Sequence, residues 1–463
     1  MYFSTFNDTI CALSTAQGIA AIGVIRISGT KAFAITENIF SKKISDKNSH
    51  SVSYGTIHNH HKILDEVVVT IFKNPASFTG EDTVEIAAHG SLYICNKILE
   101  LLVENGCRMA KAGEFSMRSY LNKKMDLSQA EAIADLINSS NQASHQVAMN
   151  QMRGGFSKEI NILREELIHF ASMLELELDF SEEDVEFANR EKLFELIQKI
   201  LAKVKSLAQS FSDGNIIKNG IPVAIIGAPN TGKSTLLNTL LNDDRAIVSE
   251  IAGTTRDTIE EVMTINGMDY RFIDTAGIRA TEETIEKIGI EKSFEKMRAA
   301  KIIILLIDAK EIIHKAYETL LQKVNAEINV ELQTILIVGN KIDLLAEGEL
   351  SKIITISKAE KNMMLISSKD KKDVDVLKTK LSEISNINLT ENSLIVTNVR
   401  HYEALTNTRL ALEDALHALE NKITSDFLAL DIRKALFHLG EITAHISNDD
   451  LLGNIFSKFC IGK

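Results

Sequence analysis

The sequence predicts a multidomain chain of two structural classes: an α/β domain inserted into an all-α domain, behind an N-terminal α+β domain. Three observations carry this. First, apolar residues recur at three- and four-residue steps on both sides of the middle of the chain, as in packed helices. They are Ile160, Leu163, Leu167, Phe170, Leu174 and Leu178 before it, and Leu405, Leu412, Leu416 and Leu419 after it. Second, residues 223–226, 302–307 and 334–339 between these blocks are short apolar runs of the length and β-branched content of buried parallel strands. Third, the first part of the chain mixes β-branched runs with a helical stretch. The boundaries expected are 1–118 for the N-terminal domain, 119–215 and 385–463 for the two parts of the helical domain, and 216–384 for the insert. A chain of 463 residues has material for about three domains.

In the N-terminal domain, residues 18–28 (G-I-A-A-I-G-V-I-R-I-S), 66–72 (E-V-V-V-T-I-F) and 83–88 read as strands, and 92–104 as a helix stopped by Asn105-Gly106. Residues 75–82 (P-A-S-F-T-G-E-D) and 111–116 (K-A-G-E-F-S) carry charge and hydroxyls between apolar strands, the usual setting of a binding site. His58, His60 and His61 lie in H-N-H-H between strand-like segments. That reads as a solvated hairpin turn, with metal ligation as the alternative.

From about residue 119 the period becomes helical. Residues 127–137 form one stretch, and Leu193, Ile197, Ile200, Val204, Leu207 and Phe211 continue the pattern beyond an acidic segment at 175–186. Residues 427–439 are helical again. A last helix starts at Ser447, an N-cap followed by Asp449 and Asp450, which suit the positive end of the dipole. An insertion between helical segments lets its conformational change be felt on both sides.

The insert carries the chemistry. Residues 221–234 read I-P-V-A-I-I-G-A-P-N-T-G-K-S, a strand entering G-x-x-x-x-G-K-[ST] with a helix following. In this pattern loop amides and a helix N-terminus converge on phosphate oxygens, Lys233 reaches the β/γ-phosphates and Ser234 ligates Mg²⁺. Gly227 and Gly232 let the backbone come that close. Residues 271–277 end a strand with D-x-x-G, where Asp274 holds Mg²⁺ through water and the Gly277 N–H senses the γ-phosphate. Residues 340–343 are N-K-I-D at a strand's carboxyl end. A carboxylate at Asp343 accepts both N1–H and the exocyclic amine of guanine, whereas adenine leaves it unpaired, so the nucleotide is expected to be GTP. Ser367-Ser368-Lys369 ends another strand with backbone donors for the guanine carbonyl. In Gly253-Thr254-Thr255-Arg256-Asp257 a hydroxyl, taken as Thr255, ligates Mg²⁺ and switches between ordered and released states. Ile278 stands where Ras-like enzymes place a water-orienting Gln. The replacement is sought among the acidic residues of 281–291.

Composition limits the alternatives. A net charge of −12 predicts no general attraction to nucleic acid, so an RNA partner has to be held by local patches. No apolar run approaches the ~18 residues of a membrane span, and no secretion signal is visible, so a cytoplasmic protein is expected. Cys11, Cys95, Cys107 and Cys460 lack C-x-x-C spacing and are expected to be reduced thiols.

Taken together, G-A-P-N-T-G-K-S, G-T-T-R-D, D-T-A-G-I-R, N-K-I-D, P-A-S-F-T-G-E-D, A-G-E-F-S, K-M-D-L-S-Q-A-E-A-I-A-D-L-I and the terminal F-C-I-G-K resemble the MnmE (TrmE) family of bacterial tRNA-modification GTPases over nearly the whole chain. The resemblance implies an N-terminal folate-binding-like domain that also dimerises, a discontinuous helical domain and an inserted Ras-like P-loop G domain. It implies a homodimer that joins the flavoprotein MnmG in a heterotetramer. Together they add a (carboxymethyl)aminomethyl group at C5 of the wobble uridine of certain tRNAs. The one-carbon carrier implied is 5-formyl-tetrahydrofolate or a relative, bound by Arg26, Glu85, Lys124 and Lys463.

The resemblance further implies a K⁺ ion held by Asn230, Ser249, Ile251 and Thr254 in place of an arginine finger, with Glu286 orienting the water and Lys233 assisting. GTP contacts carried over are Asn230, Thr231, Gly232, Lys233, Ser234, Thr235, Ser249, Ile251, Gly253, Thr254, Thr255, Asp274, Thr275, Ala276, Gly277, Asn340, Lys341, Asp343, Ser367, Ser368 and Lys369, with Mg²⁺ on Ser234 and Thr255. Ser367-Ser368-Lys369 departs from the commoner S-A-K, at contacts expected from backbone. Cys460 has two readings, a small buried apolar residue or a chemical role beside the folate. The functional readings are a K⁺-activated GTPase driving tRNA modification and, from another class, a GTP-controlled binding module such as a ribosome-assembly switch. Folate binding separates them.

Overall fold

A computed structural model describes residues 8–60, 62–179, 190–243, 261–273, 297–314, 317–329, 332–360, 362–385, 394–421, 423, 425–443, 449–457 and 459–462. The chain divides into two compact units. The first comprises Met1–Ile137, Ala148–Lys205 and Glu403–Lys463; the second comprises Asn138–Val147 and Ser206–Tyr402.

The first unit contains a six-stranded sheet formed by β1 (Thr9–Leu13), β2 (Ile22–Ser28), β3 (Ser51–Asn59), β4 (Lys62–Phe72), β5 (Thr83–His89) and β6 (Cys107–Met109), in the order β3-β4-β5-β2-β1-β6. All neighbours are antiparallel except β1 and β6. Strand β4 buries Val67, Val69 and Ile71 at a period of two, the pattern of a sheet covered on one face. Helices α1 (Ala32–Ile39) and α2 (Leu92–Glu104) cover that face with Ile35, Ile39, Ile98 and Leu102. A smaller cluster of Ile10, Ala12, Ala110 and Phe115, with Phe78 against it, joins the two loops singled out in the sequence. The histidine segment is a hairpin turn through His60 at φ 55°; His61 lies outside the described residues.

Helices α3 (Glu114–Leu121), α4 (Leu127–Ile137), α5 (Gln142–Met152), α6 (Gly155–Asp179) and α7 (Arg190–Asn219) follow. The stripes at Ile160, Leu163, Leu167 and Leu174 and at Ile197, Ile200 and Val204 are buried. Within the first unit α6 packs on Ser425–Thr443. The chain's last residues return to the N-terminal sheet: Ala112 bridges Ile461, and Ser14 Oγ donates to Gly462 O at 3.1 Å.

The second unit holds β7 (Ile221–Ile226), β8 (Glu261–Ile265), β9 (Met268–Phe272), β10 (Ile302–Asp308), β11 (Thr334–Asn340) and β12 (Met363–Leu365) in the order β12-β11-β10-β7-β9-β8. Only β8 is antiparallel to its neighbour. In β10, Ile302, Ile304 and Leu306 face helix α8 (Lys233–Asp243) and Lys371–Ser385, while Ile303, Leu305 and Ile307 join Ile312, Val324 and Ile353 on the other side. Burial on both faces explains the continuous apolar runs. Sequence reading did not find the β8–β9 hairpin, although Asn266-Gly267, with φ 49° and 78°, supplies the Asn-Gly signal of a tight hairpin turn. Residues 138–147, assigned from sequence to the helical domain, fold with this second unit: Ala143 and Val147 are in its core. Among the described residues no helix is long and apolar enough to cross a membrane.

Candidate functional site

Strand β7 runs out at Ile226, and the chain turns through residues 227–232 into α8. A Cβ at Gly227 would lie 2.2 Å from Leu306 O, and one at Gly232 2.3 Å from Asn340 Nδ2, so neither position accepts a side chain without movement. Gly232 has φ +98° and Asn230 φ 62°, both left-handed, the second at an exposed turn where Asn is tolerated. Leu236 N donates to Gly232 O at 2.9 Å, the bond that opens the helix. Thr231 is buried, and its Oγ1 donates to Ala228 O at 2.9 Å. Lys233 Nζ donates to Gly227 O at 2.9 Å and Ala228 O at 2.7 Å, and burial pushes its amine below the ordinary lysine value. Ser234 and Thr235 are exposed on the first turn of α8, where helix amides and the dipole favour an anion.

The second cluster gathers at the carboxyl ends of β11 and β12. Asn340 is 1% exposed. Its Nδ2 donates to Thr231 O at 2.7 Å, and its Oδ1 accepts from Ser368 N at 2.9 Å and Ser368 Oγ at 2.5 Å. One buried amide thus ties the phosphate-type loop to the N-K-I-D and S-S-K segments. Thr239 Oγ1 of α8 adds a bond to Ser368 O at 2.8 Å. Asp343 is exposed, and its Oδ1 accepts from Ser367 Oγ at 2.8 Å, which fixes the carboxylate's rotamer. Lys341 is left-handed at φ 66°, with Nζ 3.0 Å from Asp308 Oδ2. Lys369 is exposed beside them in sequence. The structure therefore brings together residues 230–235, 340–343 and 367–369.

In the first unit, Arg26 on β2 stands directly opposite Glu85 on β5, and its Nε and Nη2 both lie 2.8 Å from Glu85 Oε1. The guanidinium sits over the rings of Phe78 at 5.4 Å and Phe115 at 5.7 Å, in cation–π range. Lys124 Nζ donates to Pro75 O at 2.9 Å. Arg26, Glu85 and Lys124 are thus disposed around the 75–82 loop. Ala12, which pairs with Arg26, is followed by Leu13 and Ser14, where the terminal segment docks. A Cβ at Gly462 would lie 2.3 Å from Leu13 O. Cys460 is exposed, while Cys11, Cys95 and Cys107 are buried free thiols.

Beneath these loops is a network the sequence reading missed. Arg118, fully buried, donates through Nη2 to Asp8 Oδ1 at 2.6 Å and Glu114 Oε1 at 3.1 Å, and through Nη1 to Glu81 Oε1 at 3.2 Å. Arg108 forks onto Glu114 with Nη2 at 2.6 Å and Nη1 at 3.0 Å. The one signal available was Glu114 and Arg118 at i, i+4 in a short helix. Ser249, Ile251, Gly253, Thr254, Thr255, Asp274, Thr275, Ala276, Gly277, Glu286 and Lys463 lie outside the described residues.

Comparison with known proteins completes the picture. A family model described as "GTP-binding protein TrmE N-terminus" matches residues 9–124, and one described as "MnmE helical domain" matches residues 127–460. The tRNA modification GTPase MnmE of Cytophaga hutchinsonii is 54% identical over 99% of this chain and 98% of its own. That of Flavobacterium psychrophilum is 51% identical over 99% of this chain and 100% of its own. Among solved structures, the FeoB G-domain of Methanococcus jannaschii is 23% identical over 35% of this chain and 96% of that one, at a TM-score of 0.24, too low a likeness to bear on the fold. A family model spanning most of the chain and full-length relatives at about half identity mean that the chain belongs to the MnmE (TrmE) family of tRNA modification GTPases.

Proposed function

We propose that this chain is a K⁺-activated GTPase of tRNA modification. With the flavoprotein MnmG and a one-carbon folate, it adds a (carboxymethyl)aminomethyl group at C5 of the wobble uridine of certain tRNAs. The observation that carries the reading is the buried amide of Asn340, which ties the glycine loop to Ser368, next to the Ser367 hydroxyl that orients the Asp343 carboxylate, all at the carboxyl ends of strands of one sheet. Asp343 then accepts from the two guanine donors, and Lys233 and the amides of 230–235 take the phosphates.

The donors suit the cations proposed. Hydroxyl and amide oxygens are the hard ligands that Mg²⁺ and K⁺ prefer, and Ser234 and Asn230 offer them on exposed backbone at the mouth of the loop. Thr255 is proposed as the second Mg²⁺ ligand, and Ser249, Ile251 and Thr254 as the rest of the K⁺ set. Arg26, Lys124 and Lys463 suit an anionic glutamyl tail, and Glu85 suits the amidine-like donors of a pterin. When bound, the cations supply positive charge beside the β- and γ-phosphates, and the folate supplies one carbon. Glu286 orients the attacking water.

The proposed organisation is a folate-binding and dimerising domain at 1–118, a helical domain from 119–215 and 385–463, and a G domain at 216–384. The proposed assembly is a cytoplasmic homodimer joined by MnmG in a heterotetramer, with tRNA as substrate.

GTP turnover is the first test. At matched ionic strength it should rise at least about tenfold in K⁺ over Na⁺ and lose that preference in Asn230→Ala. Equal turnover of the wild type in both salts contradicts the K⁺ assignment. Calorimetry with 5-formyl-tetrahydrofolate should give heat that Arg26→Ala abolishes. No heat from the wild type favours a GTP-timed binding module instead.

A further inference from the structure

The β8–β9 hairpin fills residues 261–272, between the G-T-T-R-D segment at 253–257 and the D-x-x-G segment at 274–277. Whatever the γ-phosphate does to either segment pulls on one end of this hairpin. Its sheet attachment is slight: β9 pairs with β7 from Ile221↔Tyr270 to Val223↔Phe272, and β8 pairs with β9 alone among the described strands. The other end, about 15 Å away at ~3.3 Å per residue, is gripped by the start of helix α5.

That grip centres on Asp269, which is 5% exposed. Its Oδ2 accepts from Ser140 Oγ and, at 2.8 Å, from Asn141 Nδ2; its Oδ1 accepts from Thr264 Oγ1 at 2.7 Å across the hairpin. Asn141 is also the N-cap of α5, its Oδ1 accepting from Ser144 N at 2.8 Å. Ala143 N donates to Gly267 O at 3.1 Å in the hairpin turn, and Ala143 shares a core with Ile265 and Met268. A Cβ at Gly267 would lie 3.0 Å from Gln142 Oε1. On another side Asn266 Nδ2 donates to Ser382 Oγ at 3.0 Å and Tyr270 OH to Ser385 Oγ at 2.9 Å, near the end of helix Lys371–Ser385.

An apolar contact would hold these elements together but let them slide. A buried carboxylate with three directional donors costs desolvation, and what it supplies in return is register. Helix α5 runs on without a break from Gln142 to Met152, and its residues from Ala148 on belong to the first unit.

We propose that Asp269, held by Ser140 and Asn141, is a positioning residue that makes the hairpin between the two phosphate-sensing segments and helix α5 move as one body. The nucleotide state thereby reaches the helical segments through α5. The inference rests on the GTP reading above and adds to it a route by which hydrolysis is felt outside the nucleotide site.

The test is hydrogen exchange by mass spectrometry on the full-length protein, with GDP and with GDP plus aluminium fluoride in K⁺. Nucleotide affinity is measured on the same samples. In the wild type, amides of 142–149 should exchange at rates differing at least about fivefold between the two states. Asn141→Ser keeps an N-cap oxygen but loses the amide donor to Asp269. It should reduce that difference below about twofold, with GTP turnover within about twofold of wild type. Asp269→Asn should have the same effect on exchange. A wild type that binds nucleotide with no state-dependent difference at 142–149 overturns the coupling. So does a difference that persists in both variants, even if they melt earlier, because the contact is then structural only. Failure to bind guanine nucleotide at all overturns the GTP reading and the coupling with it.

Discussion

Asn340 engages its amide inside the protein, with bonds to Thr231 and Ser368, and the neighbouring Asp343 is left to face outward. The two residues of one motif therefore fail differently. Asn340→Ala orphans a buried carbonyl and a buried N–H and should destabilise the second unit by about 2–4 kcal/mol in chemical denaturation. Asp343→Asn should leave stability unchanged, raise the KM for GTP by at least about a hundredfold, and admit xanthosine triphosphate, whose 2-oxo group matches the amide's donor. In the first unit Arg118 is the sensitive residue. Arg118→Ala strips a charge partner from buried Glu114 and should cost about 3–5 kcal/mol. Burial alone would raise the Glu114 carboxyl, but hydrogen bonds from Arg108, the Lys111 N–H and Arg118 outweigh it and hold it below its ordinary value of 4.5. With the folded value the lower one, this stabilisation is intact above pH 4.5 and is lost as pH falls below it. Thermal melts between pH 6 and 3 should therefore show an acid-side loss that is shallower in Glu114→Gln.

Elements differed in how much of themselves they disclosed. Helices α2 and α4 span the residues their apolar spacing indicates, Leu92–Glu104 and Leu127–Ile137, because a stripe repeated over three turns leaves one solution. Strand β2 starts only at Ile22, four residues into the β-branched run, since Gly18 adopts φ +147° and Ile19 is exposed. The phosphate-type loop was legible because its residues are contiguous. The docking of the chain's end on the first strand was not, since Ser14 and Gly462 are 448 residues apart and no local pattern encodes such a pairing. That segment has its own test. Gly462 sits at φ +95° against Leu13 O, so Gly462→Val must displace the end of the chain. Folate affinity should then fall at least about tenfold while GTP turnover holds, as loss of one charge-assisted contact would produce. Unchanged folate affinity would remove Lys463 from the site.

At the scale of the molecule, the two-part division follows contact density, whereas the sequence signals three parts by changes of period. The count differs because the N-terminal residues share one unit with 148–205 and 403–463; the boundary differs because Ala143 and Val147, helical in pattern, are buried in the core of the inserted sheet. Periodicity reports that a face is covered but not by what. Likewise, Asp343 stands in the N-K-I-D motif that proposes it as a guanine contact, while Asp269, buried in a hairpin, has no motif to announce it. The claim on which the account turns is that guanine-nucleotide hydrolysis here serves tRNA modification. The most direct measurement is mass analysis of wobble uridines in cells lacking this protein, complemented with wild type or with Asp343→Asn. The account predicts that the C5-modified uridine disappears in the deletion, returns with the wild type and does not return with the variant. Persistence of the modified uridine in the deletion would contradict it.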